Sequence, residues 1–211
     1  GSIGGPALKI YLRVPTNTRV DRELTNWLMW MGSQRETIDA GIHYTHSHGV
    51  HVHRNAIVHN FLQSDYTHLW FIDADTVPPR HLRFLEYVDQ CPVLCLPYAG
   101  YVAGKGKVWH VYRLDAKMGK WISLYRDRWP EPEKPVFKTD AAGTGCMIIR
   151  RDVLEKGRLP DPFYLTWAGP GQIVTEDLNF CRDVGGVHVS RHDVCRHYRD
   201  LDVSALPETF R

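Results

Sequence analysis

The sequence predicts an α/β protein whose mostly parallel sheet carries helices on both faces. Two observations carry that expectation. Apolar runs of strand character alternate with segments of helical spacing from residue 9 to residue 96, the order that parallel strands with crossover helices require. One of those runs, residues 68–72, is apolar enough to lie at a sheet centre and then stops at Asp73.

The elements follow in order. Residues 9–14 alternate apolar side chains before Pro15 and read as the first strand. Residues 21–31 set Leu24, Trp27, Leu28 and Met31 at helical spacing, and Gly32 closes that helix. Residues 41–53 hold a second strand and a loop, and residues 54–63 a helix with Ile57, Val58, Phe61 and Leu62 inward. Residues 64–67 form a loop ahead of the central run. Pro78-Pro79 opens a helix expected over 81–88, and a buried strand follows at 93–96.

The second half changes character. Residues 108–114 and 121–125 flank a turn containing Gly119, which predicts a β-hairpin. Residues 128–135 carry three prolines and read as a loop. A strand over 146–149 follows Gly143-Thr144-Gly145, and a short helix over 151–155 comes next. Residues 175–183 predict a helix with Thr175 as N-cap and Gly185-Gly186 as its stop. A last strand at 187–189 precedes a tail from Asp200, and no internal repeat interrupts the chain.

Bulk properties exclude several classes. A chain of 211 residues with 43% hydrophobic content suits one domain with a core of its own. The net charge of +2 makes no global electrostatic case for nucleic acid, so only a local basic patch could serve one. Cys91, Cys95, Cys146, Cys181 and Cys195 are odd in number and form no CxxC motif, which predicts free thiols in a reducing compartment. No apolar run approaches the ~18 residues of a membrane span. The first six residues lack the charged and apolar parts of a secretion leader, so a soluble, cytoplasmic location is expected.

The sharpest chemistry lies in Phe71-Ile72-Asp73-Ala74-Asp75. Open α/β sheets bind ligands beyond the carboxyl ends of their strands, and strand alternation would aim both aspartates the same way. Two such carboxylates suit Mg²⁺ or Mn²⁺, which can bridge to a diphosphate and stabilise a leaving nucleoside diphosphate. Alternatively, the aspartates form a turn and cap the helix expected after Pro78. Asp73-Ala74-Asp75-Thr76-Val77 also resembles the nucleophile motif of haloacid-dehalogenase-like phosphatases, whose first aspartate attacks phosphorus. That motif follows the first strand of its fold, whereas here a substantial α/β segment comes first. No downstream aspartate pair or partnering lysine accompanies it.

Across residues 9–198 the chain resembles a family 2-type glycosyltransferase of the GT-A fold. The likeness rests, in order, on Arg54-Asn55, the 64–67 loop, residues 69–75, Gly143-Thr144-Gly145 with the strand to Arg151, Thr175-Glu176-Asp177, and His197. It implies a Rossmann-like nucleotide-sugar-binding domain over residues 7–211. Residues 7–98 would form the donor half and residues 99–200 a hairpin-bearing acceptor half. It implies that Asp73 and Asp75 meet the diphosphate of a nucleotide-sugar donor, with Asp75 the more direct ligand to Mn²⁺ or Mg²⁺ and His197 completing the metal shell. His192 is the nearby competitor for that role. Arg54 and Glu176 fall with the donor-binding residues, and Gly143 and Gly145 admit the backbone close to the donor sugar or acceptor.

Asp177 matches the general base that deprotonates the acceptor hydroxyl, which suits single displacement with inversion. Acidic residues in a helix's first turn also serve the macrodipole. The Gln-x-x-Arg-Trp motif of processive members is missing, which favours transfer of one sugar. The usual acidic residue soon after the first strand is missing as well. A catalytically silent sugar- or nucleotide-binding module is the remaining class.

Two clusters stand outside the motifs. His43, His46, His48, His51, His53 and His59 match no zinc template, and a polar loop lining the phosphate cleft is the preferred reading. Tyr98, Tyr101, Trp109, Tyr112, Trp121, Tyr125 and Trp129 interleave with Lys105, Lys107, Arg113, Lys117, Lys120, Arg126 and Arg128. That mixture keeps a nucleic-acid acceptor open, including the hydroxymethylated DNA bases that phage enzymes of this type glycosylate. Some of these aromatics must be core.

Overall fold

The structure, a computed structural model, describes residues 7–33, 37–45, 49–102, 106–157, 160–169 and 172–198. The first half alternates as the sequence predicts: β1 (Ile10–Thr16), α1 (Arg22–Gly32), β2 (Ile38–Tyr44), α2 (Val50–Leu62) and β3 (His68–Ile72). Then come β4 (Thr76–Val77), a 3₁₀ turn (Arg83–Tyr87) and β5 (Val93–Cys95). The second half runs β6 (Ala99–Val102), β7 (Gly106–Trp109), β8 (Val111–Asp115), β9 (Lys120–Ser123), β10 (Val136–Thr139) and β11 (Ala141–Ala142). It ends with β12 (Cys146–Arg150), α3 (Arg151–Glu155), β13 (Thr166–Gly169), β14 (Gln172–Val174), α4 (Glu176–Asp183), β15 (Val187–Ser190) and β16 (Arg196–His197).

Seven strands form the central sheet in the order β10-β15-β5-β12-β3-β1-β2, so both halves of the chain contribute to it. β1 lies parallel to β2 and β3, and β5 parallel to β15. β12 opposes both its neighbours and β10 opposes β15, so the sheet is mixed with five strands running one way. Because β12 is inverted, its first residue meets the last of β3: Cys146 pairs with Ile72. The Asp73 N–H then donates to the Gly145 carbonyl at 2.9 Å. The two motifs are joined by this one antiparallel contact.

Every residue of β3 is buried. Its alternating side chains divide the core, as period-2 geometry demands. Trp70 and Ile72 join Trp27, Leu24 and Phe84 on one face. Leu69 and Phe71 join Ile57, Phe61, Phe163 and Phe180 on the other. Trp70 meets Trp27 and Phe84 edge-on at 5.6 and 5.4 Å, a geometry aromatic pairs favour. Arg151 ties α2 to α3. Its guanidinium donates to the carbonyls of Phe61, Ser64 and Tyr66 at 2.7–2.9 Å, satisfying acceptors that a helix end leaves open. All five cysteines are buried and unbridged, and burial pushes the Cys181 thiol up to about 12.

Several expectations need correction. No α-helix spans 81–88. Leu82 adopts a left-handed backbone at φ 50° and only a 3₁₀ turn follows. α2 begins at Val50 behind Gly49, so Arg54 lies in its second turn rather than at its start. Val108 and Trp109 belong to a separate β6–β7 ribbon, and the expected hairpin is the shorter β8–β9 pair turning at Gly119 with φ 61°. Thr175 does occupy the N-cap of α4, yet its side chain makes no capping bond. The sequence pattern does not predict β4, β6, β10, β11, β13, β14 or β16. Strands of two to four residues carry too little periodicity to read. The tail from Asp200 lies outside the described residues.

His68 opens β3 and is buried, and burial, opposed by Asp89, holds its imidazole below the ordinary value. The unfolded chain therefore binds that proton first. Its contribution is complete above pH ~6.5 and is lost as pH falls toward the lower folded value. His43 and His188 are depressed too and add the same sign. Urea unfolding at pH 7.5 and 5.5 should show wild-type stability dropping on acidification, by no more than about 1.4 kcal/mol per pH unit from His68. His68→Gln should flatten that dependence.

Candidate active site

A cavity of about 830 Å³ opens where the carboxyl ends of β1 and β3 meet the start of α4 and the end of β16. Arg54, Asp73, Asp75, Glu176, Asp177 and His197 all line it, together with Thr144 between the two motif glycines. Residues separated by up to 143 positions thus converge on one space.

β3 ends at Ile72, and the chain turns through Asp73-Ala74-Asp75, closed by Thr76 N–H donating to the Asp73 carbonyl at 3.0 Å. The turn is held from outside as well. Asp21 N–H donates to the Ala74 carbonyl and Tyr198 N–H to the Asp75 carbonyl, both at 2.8 Å. The strand alternation expected to aim both aspartates the same way therefore does not apply. Asp73 Oδ1 accepts from Arg54 Nη2 at 2.6 Å, while Asp75 Oδ2 lies 3.3 Å from His197 Nε2. No helix starts at Pro78 for these carboxylates to cap.

Arg54 is 2% exposed and bridges two elements, donating to Asp73 and to Glu176 Oε1. Burial opposes its charge, but Asp73, then Glu176 and Asp177, outweigh that and raise its affinity for the proton. Its Nε has no partner. Asp177 is half-buried, and its Oδ1 accepts from the Thr175 hydroxyl and from Leu178 N–H at 2.9 Å. This explains why Thr175 does not cap α4.

His197 Nδ1 lies 2.9 Å from the Ala99 carbonyl, which can only accept. That fixes the hydrogen on Nδ1 and turns the Nε2 lone pair of the neutral ring toward Asp75. Two acceptors 3.3 Å apart require a shared cation, either a proton or a metal ion. The separation fits two neighbouring ligands at about 2.1 Å from one hard divalent ion. Among the described residues no group of three His, Cys, Asp or Glu side chains is arranged to hold a metal unaided. β16 pairs with β4, placing His197 against Thr76 and so beside the turn. His192 is exposed and does not line the cavity.

The sequence did not single out several lining residues as ligands. Tyr98, His110, Tyr198 and the loop from Pro15 to Arg19 all border the space. Tyr98 is stacked on His110 at 4.6 Å, and burial, then Asp73 and Asp177, push its phenol well up. Gly143 and Gly145 do not line the cavity; a β-carbon at either would collide with Tyr98. Of the histidine cluster, His53 lines the cavity, hydrogen-bonded to the Thr45 hydroxyl. His51 is half-buried and His59 exposed, while His46 and His48 lie outside the described residues. Trp109, Trp129 and Tyr98 are core aromatics, whereas Tyr101 and Tyr125 are exposed.

No protein-family model and no curated protein matches the chain. Among solved structures it is similar to A197 from STIV, with 22% identity and a TM-score of 0.62 over 92% of this chain and 87% of that one. This is a likeness of fold. HddC from Yersinia pseudotuberculosis gives 10% identity and a TM-score of 0.46, over 90% of this chain and 93% of that one. An apo UDP-glucose pyrophosphorylase gives 13% and 0.43, over 93% and 76%.

Removing the cation at Arg54 would leave Asp73 and Glu176 as facing, partly buried carboxylates. Arg54→Leu should lower stability by about 3–5 kcal/mol in urea unfolding. Arg54→Lys should recover only part of this, because one ammonium cannot reproduce the two-pronged contact.

Proposed function

We propose that this protein is a GT-A-type glycosyltransferase that moves one sugar from a nucleotide diphosphate sugar to an acceptor hydroxyl, with a divalent cation at Asp75 and His197. The observation that carries this reading is the 3.3 Å approach of Asp75 Oδ2 to the His197 Nε2 lone pair. The charge of the cavity supports it. Among the described residues five carboxylates line the space against two guanidiniums, Arg19 and Arg54, and an anionic diphosphate would enter only with a cation. Mn²⁺ or Mg²⁺ bound there supplies charge neutralisation for the departing diphosphate. Asp75 and His197 would hold the ion, and substrate oxygens and water would complete its shell.

The protein's own residues then have separate tasks. Arg54 fixes Asp73 at the end of β3 and Glu176 at the start of α4. Asp177 accepts the acceptor's proton, held in orientation by Thr175 and the Leu178 amide. A base facing the sugar across from the leaving group favours inversion. The phosphatase reading loses support, since Asp73 follows the third strand and its Oδ1 is committed to Arg54.

The β8–β9 hairpin and the turn that follows it are basic. Arg113, Lys117, Lys120, Arg126 and Arg128 are exposed over a stretch with only Asp115 and Asp127 in opposition. That pattern favours a polyanionic acceptor such as DNA.

Thermal-shift measurements with UDP, GDP, CMP and dTDP sugars should show stabilisation only when Mn²⁺ or Mg²⁺ is present. Asp75→Ala should abolish the cation dependence. Asp177→Asn should cut turnover roughly 10²–10⁴-fold while leaving donor binding near wild type. Sugar-induced stabilisation equal with and without chelator would overturn the reading. If DNA is the acceptor, charge removal at Lys117, Lys120 and Arg126 should weaken DNA binding and flatten its salt dependence.

A further inference from the structure

Tyr98 stands just beyond β5, and its ring is fixed from three sides. His110 stacks on it at 4.6 Å with an interplanar angle of 21°, and His197 meets it edge-on at 5.2 Å. On the third side are Gly143 and Gly145. A β-carbon at Gly143 would stand 2.3 Å from the phenol oxygen, and one at Gly145 would stand 2.5 Å from ring carbon Cε1. The room these glycines leave is therefore filled by Tyr98 itself. Through it the Gly-Thr-Gly segment shapes the cavity without touching a ligand at those positions.

The hydroxyl is the remaining question. Buried phenols ordinarily find a hydrogen-bond partner. Tyr98 is 7% exposed and lines the cavity, and no hydrogen bond among the described residues engages its oxygen. The charges that bear most on it are Asp73 and Asp177. One carboxylate belongs to the turn beside Asp75 and the other is the proposed base. In a transferase the group that spans diphosphate and acceptor is the glycosyl unit, whose hydroxyls both accept and donate hydrogen bonds.

We propose that the Tyr98 hydroxyl is a sugar-binding group that donates a hydrogen bond to a ring hydroxyl of the transferred glycosyl unit, and so contributes to donor-sugar recognition. The inference rests on the transferase reading above. It assigns Tyr98 to the sugar and not to the nucleotide, which separates it from residues at the diphosphate.

Tyr98→Phe keeps the ring packing and removes only the donor. Calorimetric titration with Mn²⁺ would compare UDP with UDP-glucose, and GDP with GDP-mannose, on wild type and variant. Affinity for the free nucleoside diphosphate should stay within twofold. Affinity for the matching nucleotide sugar should fall about three- to tenfold, the size of one neutral hydrogen bond. Gly143→Ala, which crowds the hydroxyl, should reproduce the sugar-specific loss. A near wild-type melting temperature for Tyr98→Phe would exclude misfolding as the cause. Equal losses for nucleotide and nucleotide sugar, or no loss for either, would overturn the assignment while leaving the transferase reading intact. Failure of the wild type to bind any nucleotide or nucleotide sugar with Mn²⁺ would sink both.

Discussion

One buried guanidinium sets the geometry of this site. Arg54 reaches from α2 to the end of β3 and to the first turn of α4, and its two terminal nitrogens each take a carboxylate. A charge at 2% exposure is tolerable only with such partners. In return it holds Asp73 and Glu176 at fixed positions, and their neighbours Asp75 and Asp177 inherit that placement. A lysine could neutralise charge here but could not grip two carboxylates in one plane.

The second constraint is the direction of β12. A wholly parallel sheet would have put the residues before Cys146 at the opposite edge from Asp73. Inversion brings Gly143-Thr144-Gly145 to the carboxyl end of β3, where Tyr98 can wedge between the glycines and His110. Hydrophobic pattern revealed β3 and β12 as continuous apolar runs, and α1 and α2 by their inward-facing apolar residues. It could not reveal strand direction, since a fully buried strand reads the same either way. The short strands β4 and β16 were equally illegible, yet their pairing is what delivers His197 to Asp75.

The convergence of the motif residues was legible in part, since Gly143 and Gly145 do not line the cavity. Arg54, Asp73, Asp75, Glu176, Asp177 and His197, picked out by motif order, share one cavity. Their division of labour was not legible. Alternation along a strand suggested two aspartates aimed together, but the strand ends at Ile72 and the turn sends them to different partners. The glycines signalled close approach, but sequence alone does not say whether a ligand or a protein ring comes close. Tyr98 was visible only as one aromatic among seven, and a tertiary contact singles it out.

The cavity's charge gives the proposed chemistry its order. Arg54 is already committed to two carboxylates, and among the described residues no lysine lines the space. The described lining therefore offers a diphosphate little positive charge beyond Arg19. Two unit charges 4 Å apart interact by about 4 kcal/mol at the effective dielectric of a partly exposed site. Repulsion of that size between the carboxylates and an anionic ligand is decisive unless a cation intervenes. On the proposed chemistry, metal and donor must then bind with positive coupling, each raising the other's affinity by the same factor. With Asp75 and His197 as its ligands among the described residues, the ion alone would be held weakly, and the donor's own phosphates would complete its site. Such an arrangement ties cation retention to the presence of donor, so that release of the nucleoside diphosphate also loosens the metal.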